Sequence, residues 1–575
     1  MLDDALTLND GETFSVDVCI VGAGAAGITL ALELAQTRLD VLLLESGGLE
    51  AEEQTQRLYE GMVVDERLHS PPDRYRQRRF GGSTTIWGGR CVPLDPIDLE
   101  KRAYVPLSGW PLDWDELSPY YVRANKLCEA GAFEYRAGDA FTGPLRPMIE
   151  GFQSDHFSTD TLERFSCPTD FGARYGLALR KAPNVRVLLH ANLTQIRFQP
   201  GARAVESLVV RTLGGKSFTV RARQVILAMG GLEIPRQLLA SRDVWQQGIG
   251  NEHDVVGRYY MCHIAGVIGT LLPRGSGASI SHGYDMTDEG IYCRRRLALA
   301  PATQRHLEVG NFIGRLHHKR ITDPAHRSAV LSALQLAKGM ISYEYGKRLH
   351  GEEHTGLGTW MAHMRNVLSA PWEVLFFGHH MARDRFLAAR KFPSIIVKSP
   401  TGHYSLDFHA EQYPNASSRI TLSRECDALG SPKPLVDWRY MPEDIRTVRK
   451  AVGLFAAEVS RSGVGAFEYD PESIELEMAR YGAYGGHHLG TARMGTDPRT
   501  SVVDADCRVH GTDNLYIAGG AVFPTSSQAN PTLTIVALAV RLAAKLRAAA
   551  GRDAPLPATG YSSRPMTFIP TTVDE

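Results

Sequence analysis

Val16-Asp-Val-Cys-Ile-Val-Gly-Ala-Gly-Ala-Ala-Gly27 is a short apolar run that breaks into glycines spaced as GxGxxG. Val16–Val21 predicts a buried strand, 22–27 a tight turn and 28–36 a helix. Val41-Leu-Leu-Leu44 predicts a second buried strand ending at Glu45. The unit is βαβ, and it sets the fold class as α/β with a Rossmann-like core. The three glycines act differently. Gly22 permits the turn, Gly24 lets backbone approach a pyrophosphate, and Gly27 lets helix pack on strand. The helix after the turn supplies amide donors and a favourable dipole at its N-terminus. Glu45, about twenty residues on, is placed to bond a ribose hydroxyl. Flavin and nicotinamide dinucleotides both use this unit, so it does not choose between them.

Working outward, the 575 residues carry 63 Lys+Arg against 64 Asp+Glu, a formal net charge of −1. That balance excludes an extended nucleic-acid footprint and a disordered acidic chain. There are 55 glycines, a mild excess over the usual share of about 7%. The eight cysteines are scattered with no Cys-x-x-Cys pair, which gives neither a zinc ribbon nor a disulfide framework and fits a reducing compartment. Five acidic residues stand in the stretch through Asp17 and the first basic residue is Arg38, so the positive start of a secretory signal is missing. The uncharged stretch 18–32 is too short and glycine-rich to span a bilayer. The expectation is a cytoplasmic protein without a transmembrane segment.

Residues 46–165 are polar and rich in Gly and Pro, and predict loops with few regular elements. Within them, Arg79-Phe-Gly-Gly-Ser-Thr-Thr-Ile-Trp-Gly-Gly-Arg90 can lie flat against a planar ligand with its amides exposed. The basic run 74–79 before it reads as a solvated face or a support for a pyrophosphate. Strands are expected at 185–190, 205–211, 218–229, 404–409, 419–422 and 515–518, and a helix at 533–548. Val330, Leu334, Ala337 and Ile341 recur at helical spacing. The tail after Gly551 reads as irregular.

Near the C-terminus stands Gly485-Gly-His-His-Leu-Gly-Thr-Ala-Arg-Met-Gly495, followed by 514–520 (Asn-Leu-Tyr-Ile-Ala-Gly-Gly) and Ser527-Gln-Ala-Asn-Pro-Thr-Leu-Thr534. With these motifs the sequence resembles the glucose-methanol-choline (GMC) oxidoreductases, and among them pyranose oxidases and bacterial FAD-dependent sugar or glycoside dehydrogenases. The resemblance covers the βαβ unit, the 81–89 loop, 404–438 and 485–545. It implies an FAD enzyme that removes a hydride from an alcohol carbon, with His487 as base and Asn530 as its partner. It also implies a cofactor shell of Gly22, Gly24, Ala25, Ala26, Gly27, Glu45, Gly81, Gly82, Ser83, Thr84, Trp87, Gly88, Gly519, Gly520, Pro531 and Thr532. The chemistry agrees: His takes protons near neutral pH, and an amide can bond the same oxygen. Where pyranose oxidases with covalent FAD carry a His before the loop Trp, this chain has Ile86, so the expectation is dissociable FAD.

The expected organisation is an FAD-binding domain from 1–100, 165–260 and 480–550, interleaved with a substrate-binding domain from 101–164 and 261–479 built on an antiparallel sheet with helices, and a tail at 551–575. The expected substrate is a sugar or glycoside oxidised at a secondary hydroxyl; a non-sugar alcohol is the alternative, and a flavin monooxygenase the reading from another class. Oxygen, a quinone or a partner protein are all open as electron acceptor. No metal is expected, because His317-His318 and His379-His380 lack partners at ligand spacing. The segment 370–377 with the basic residues after it reads first as a lid helix or core stripe, and second as a surface for a membrane or partner.

Overall fold

The computed structural model describes residues 1–143, 145–199, 201, 203–275, 280–337, 356–483 and 485–551. Its architecture rests on two eight-stranded sheets. In the first, Leu2–Asp4, Val185–Leu189, Val41–Leu44, Thr13–Val21 and Ser217–Leu227 lie side by side and parallel. Val205–Arg211 and Asn192–Phe198 continue it antiparallel, and Leu515–Ile517 pairs in parallel with the end of Ser217–Leu227. All four residues of Val41–Leu44 are buried, as a central parallel strand covered on both faces requires. The helices Ala25–Leu34 and Thr532–Ala549 pack together over this sheet, and Trp114–Leu127 packs on the second of them. Tyr121 Oη lies 2.8 Å from Thr534 Oγ1 at that contact.

The second sheet runs Gly465–Glu468, His263–Pro273, Tyr404–Glu411, Phe312–His317, Tyr292–Leu299, Phe157–Phe165, Arg90–Cys91, with Asp285–Met286 beside Tyr292–Leu299. Neighbours are antiparallel, and side-chain alternation sets its function. Leu406, Phe408 and Ala410 enter an apolar core with Val452 and Phe455 of the helix Pro442–Arg461. Asp407 and His409, between them in sequence, line a cavity instead. A small third sheet joins Arg419–Cys426, Pro432–Asp437 and Met62–Val63. The fold is thus mixed α/β, with one largely parallel sheet and one antiparallel sheet.

The expected strands and the closing helix are present. Residues 46–165 are more regular than expected: they hold the fourteen-residue helix Trp114–Leu127 and the nine-residue strand Phe157–Phe165. Pro119 inside the helix and its many polar residues hide the apolar stripe of Leu117, Tyr121, Ala124 and Leu127. The helical spacing at 330–341 is met by Ala329–Leu336; Ile341 and the tail from 552 lie outside the described residues. Among the described residues no helix is long and apolar enough to cross a membrane.

Candidate active site

A cavity of about 580 Å³ lies between the two sheets, with Gly24 of the first and His409 of the second on its wall. At one end the wall is backbone. Gly22 has φ +105°, and a Cβ there would stand 2.6 Å from the Ala228 carbonyl oxygen, so only glycine makes this turn. The helix Ala25–Leu34 starts at Gly24 without a side-chain cap, which leaves its first amide groups directed at the cavity. The helix Thr532–Ala549 likewise starts uncapped after Pro531, and Pro531 and Thr532 line the same space. A Cβ added at Gly24, Gly88, Gly230 or Gly519 would meet no protein atom within 4 Å, and all four border the cavity. A flat anionic group the size of a flavin dinucleotide fits this cradle, whose wall is exposed amide and helix dipole.

Of the sixteen residues expected to hold the cofactor, fourteen line the cavity: Gly22, Gly24, Ala25, Ala26, Glu45, Gly82, Ser83, Thr84, Trp87, Gly88, Gly519, Gly520, Pro531 and Thr532. Gly27 and Gly81 do not. Gly27 is where helix meets turn, since a Cβ there would collide with the Gly22 oxygen. The Gly81 amide donates to the Ala23 carbonyl at 2.9 Å and fixes the loop against the βαβ turn. Glu45 is buried, and its carboxylate accepts from the Ala23 and Gly47 amides at 2.8 and 2.9 Å, bracing the turn it borders. In the basic run the solvated face is overturned for Arg76 and Arg78, which line the cavity, are buried on Glu233, at 3.0 and 3.6 Å, and lie over the Tyr59 ring, while Arg74 stays exposed. Burial alone would raise the Glu233 pKa, but Arg236, Arg76 and Arg78 outweigh it and hold it at about 2.

His487 and Asn530 meet over the middle of the cavity, with Asn530 Nδ2 3.2 Å from His487 Nε2. Two pairings put His487 there. Gly490, Ala492 and Met494 donate to the carbonyls of Gly520, Ala521 and Val522, which lays 490–494 beside the Gly519–Gly520 turn. Met261 and Leu489 exchange both backbone hydrogen bonds at 3.0 Å in antiparallel register, so His263 falls opposite His487. Their Nδ1 atoms are 2.8 Å apart. The Asn530 loop is held from below: Ser527 Oγ donates to Asp98 at 2.6 Å, and Arg296 donates to Gln528 at 2.9 Å. His488 turns the other way, its ring against His69 and Tyr260.

His263 is buried, and desolvation takes its pKa down to about 4, so the ring is neutral at physiological pH. Its Nε2 reaches no partner at hydrogen-bond geometry; the Ser526 and Ala529 carbonyls are the backbone groups that favour a proton on the ring. His409 stacks on His263 at 5.9 Å, and its Nδ1 has no partner. Beyond it stand Asp407 and Arg90, each tied to a buried ion network: Arg315 pairs with Asp407 at 2.7 Å and with Glu163 at 2.5 Å, while Arg90 Nε is 3.5 Å from Glu163. None of His263, Asp407, His409 and Arg90 was anticipated from the sequence. The available signal was a His opening the largely apolar strand His263–Pro273, and Asp407 and His409 alternating with Leu406, Phe408 and Ala410 in Tyr404–Glu411. Among the described residues no group of three or more His, Cys, Asp or Glu is placed to hold a metal ion.

A family model described as FAD dependent oxidoreductase matches residues 17–335, and one described as GMC oxidoreductase matches 414–539. The chain belongs to the FAD-dependent oxidoreductases. Its C-terminal part, which carries His487 and Asn530, is that of a GMC oxidoreductase. The fructose dehydrogenase large subunit of Gluconobacter japonicus is 25% identical over 92% of this chain and 98% of its own. Paromamine 6'-oxidase of Streptomyces fradiae is 24% identical over 92% and 90%. C-glycoside 3-oxidase of Microbacterium trichothecenolyticum is 37% identical over 22% of this chain and 24% of its own. Pyridoxine 4-oxidase from Mesorbium loti, 18% identical with a TM-score of 0.51, shares the fold over 92% of this chain and 99% of its own.

Proposed function

We propose that this enzyme oxidises a secondary hydroxyl of a sugar or glycoside to a carbonyl, with His487 as base, Asn530 holding the alcohol oxygen, and FAD bound without a covalent link. The observation that carries the reading is the pairing of Asn530 Nδ2 with His487 Nε2 over the cavity. An alcohol oxygen entering between them can accept from the amide while its proton goes to the imidazole, a geometry that also aims its carbon–hydrogen bond. When bound, FAD supplies the hydride acceptor. The two interleaved units expected from the sequence fit this division of labour, the parallel sheet serving the cofactor and the antiparallel sheet the substrate.

His263 acts as a positioning residue. The two facing Nδ1 atoms, 2.8 Å apart, can share one hydrogen, and the tautomers decide which ring donates it. If His263 carries its proton on Nε2, toward the Ser526 and Ala529 carbonyls, His487 donates from Nδ1 and its Nε2 is left as the acceptor. The amide donor of Asn530 opposite Nε2 selects the same tautomer.

The polar far wall favours a polyhydroxylated substrate. An apolar alcohol would leave His409 Nδ1 buried without a partner and the Arg90 Nε without a hydrogen bond, whereas ring hydroxyls can satisfy both. The named activities of the sugar- and glycoside-oxidising relatives support the same class. Ile86 lines the cavity and offers no nucleophile for attachment, which supports dissociable flavin. Acid or heat denaturation should release yellow flavin into the supernatant; flavin retained by the precipitate overturns that part. The main test is anaerobic bleaching of the flavin by a panel of sugars, glycosides, simple alcohols and reduced nicotinamide. Bleaching by a sugar or glycoside is expected. Bleaching by simple alcohols alone, or by reduced nicotinamide, defeats the substrate reading.

A further inference from the structure

The antiparallel sheet makes a long excursion between Phe312–His317 and Tyr404–Glu411, two strands that pair directly. Within it stand the helices Leu357–Ser369 and Pro371–Met381 and the single turn Ala382–Leu387. Among the described residues the first helix is pinned on one side: His363 Nδ1 lies 2.9 Å from Ser332 Oγ, and Asn366 donates to the Pro324 carbonyl at 2.9 Å. The second helix, Pro-Trp-Glu-Val-Leu-Phe-Phe-Gly-His-His-Met, has no buried residue at all. The expectation of a core stripe is therefore overturned. Trp360, Leu368, Trp372, Phe376, Phe386 and Leu387 are between 53% and 83% exposed. Six large apolar side chains gathered within residues 360–387 exceed what a soluble surface ordinarily carries scattered.

Charge identifies what this surface meets. Residues 356–391 hold Arg365, Arg383, Arg385, Arg390 and Lys391 against Glu373 and Asp384, a positive island on a chain whose net charge is −1. A second copy docking through the same face would bring like charges together, since a two-fold interface pairs a patch with itself. An anionic lipid surface offers the opposite charge and an apolar layer at the depth where Trp side chains reside. The excursion is also fastened to the rim of the active site. Arg385 donates to the Phe392 and Pro393 carbonyls at 2.5 and 2.7 Å, and Arg390 donates to the Phe165 and Glu129 carbonyls at 3.0 and 3.1 Å. Pro393, Ser394 and Phe165 line the cavity.

We propose that residues 357–391 dock the enzyme on an anionic lipid surface, with Trp360, Trp372, Phe376 and Phe386 at the headgroup boundary and the exposed Arg365, Arg383 and Lys391 beside them. The active site then faces its small molecules from a membrane-bound position without a spanning helix. The test uses the full-length holoenzyme and sedimentation with vesicles of phosphatidylcholine alone or with about 30% phosphatidylglycerol, at low salt and at 0.5 M salt. Binding to the anionic vesicles is expected, weakened at least about tenfold in high salt or without the anionic lipid. The triple variant Trp372→Ser, Phe376→Ser, Phe386→Ser should lose that binding while keeping its flavin and its turnover in solution. No binding by the parent enzyme, or equal binding by the triple variant, overturns the proposal. Light scattering without lipid closes the alternative: a dimer that the triple variant converts to monomer, with no vesicle binding, assigns the face to a second copy.

Discussion

Gly24, Gly88, Gly230 and Gly519 give the cavity bare backbone, whereas Arg90, Asp407 and His409 give it charged and hydrogen-bonding side chains. The difference is one of tolerance. A backbone cradle is spoiled by any added atom, so it forces a recognisable sequence. A side-chain wall is tuned residue by residue on a sheet whose other face only needs to stay apolar, so it leaves almost no motif. His487 and Asn530 sit where the two materials meet.

The contrast is sharpest at the junction itself. His487→Ala should lower the rate of flavin reduction by about 10²–10⁴-fold and leave FAD bound, measured by anaerobic stopped-flow absorbance. Normal bleaching in that variant removes the base assignment. On the backbone side, Gly24→Val places a branched side chain in space that no protein atom fills. The purified variant is expected to keep its circular dichroism while carrying roughly a tenth or less of the parent's flavin. Full flavin content would show that the cradle is not the cofactor site.

On the side-chain wall the effects are smaller and kinetic. His263→Asn should cut kcat about 10–100-fold with little change in KM, and should move the pH profile of flavin reduction, because the tautomer of His487 is no longer held. A variant with an unmoved profile would make His263 merely structural. His409→Phe should raise KM for the sugar substrate about tenfold, the cost of one lost hydrogen bond, without altering flavin content.

Acid supplies the mildest discriminator. Burial lowers the pKa values of His263, His282 and His318 to about 4, and those of His317 and His409 well below the usual 6.5. The folded state therefore binds fewer protons than the unfolded chain between about pH 6.5 and 4. Stability contributed by these rings is complete above pH 6.5 and is lost as pH falls. They belong to the antiparallel sheet and its flanks, whereas His190, at the parallel sheet, has a raised pKa: its carboxylate partners Asp4 and Glu52 outweigh desolvation. Hydrogen-exchange protection factors, corrected for the slower intrinsic exchange at low pH, should fall between pH 7 and pH 5 in His263–Pro273 and Tyr404–Glu411 before they do in Thr13–Val21. A uniform fall would erase the distinction between the two sheets.

What the sequence revealed follows the same line. Gly22, Gly24 and Gly27 announce themselves, because strand, turn and helix must succeed one another within twelve residues. His487 and Asn530 stand in runs of small residues that only close packing explains. Glu45 was legible as a residue beside the glycine turn, and it lines the cavity, yet its bonds to the Ala23 and Gly47 amides are local geometry that spacing does not encode. His263 lies 224 residues from His487, and their meeting depends on Met261 pairing with Leu489, a register set by tertiary structure. Arg76 and Arg78 read as solvated because charge in a polar stretch ordinarily is; Glu233, far along the chain, is what draws them inside.

The strand Ser217–Leu227 lies between Thr13–Val21, near the start of the chain, and Leu515–Ile517, near its end. During synthesis the nucleotide-binding turn therefore emerges first and waits for nearly the whole polypeptide before Gly519, Asn530 and the helix after them close its other side. The strands of the antiparallel sheet are all made in the interval. If the cavity is the flavin site, its capture of the cofactor is a late event, and a ribosome-stalled chain ending near residue 500 should carry no flavin.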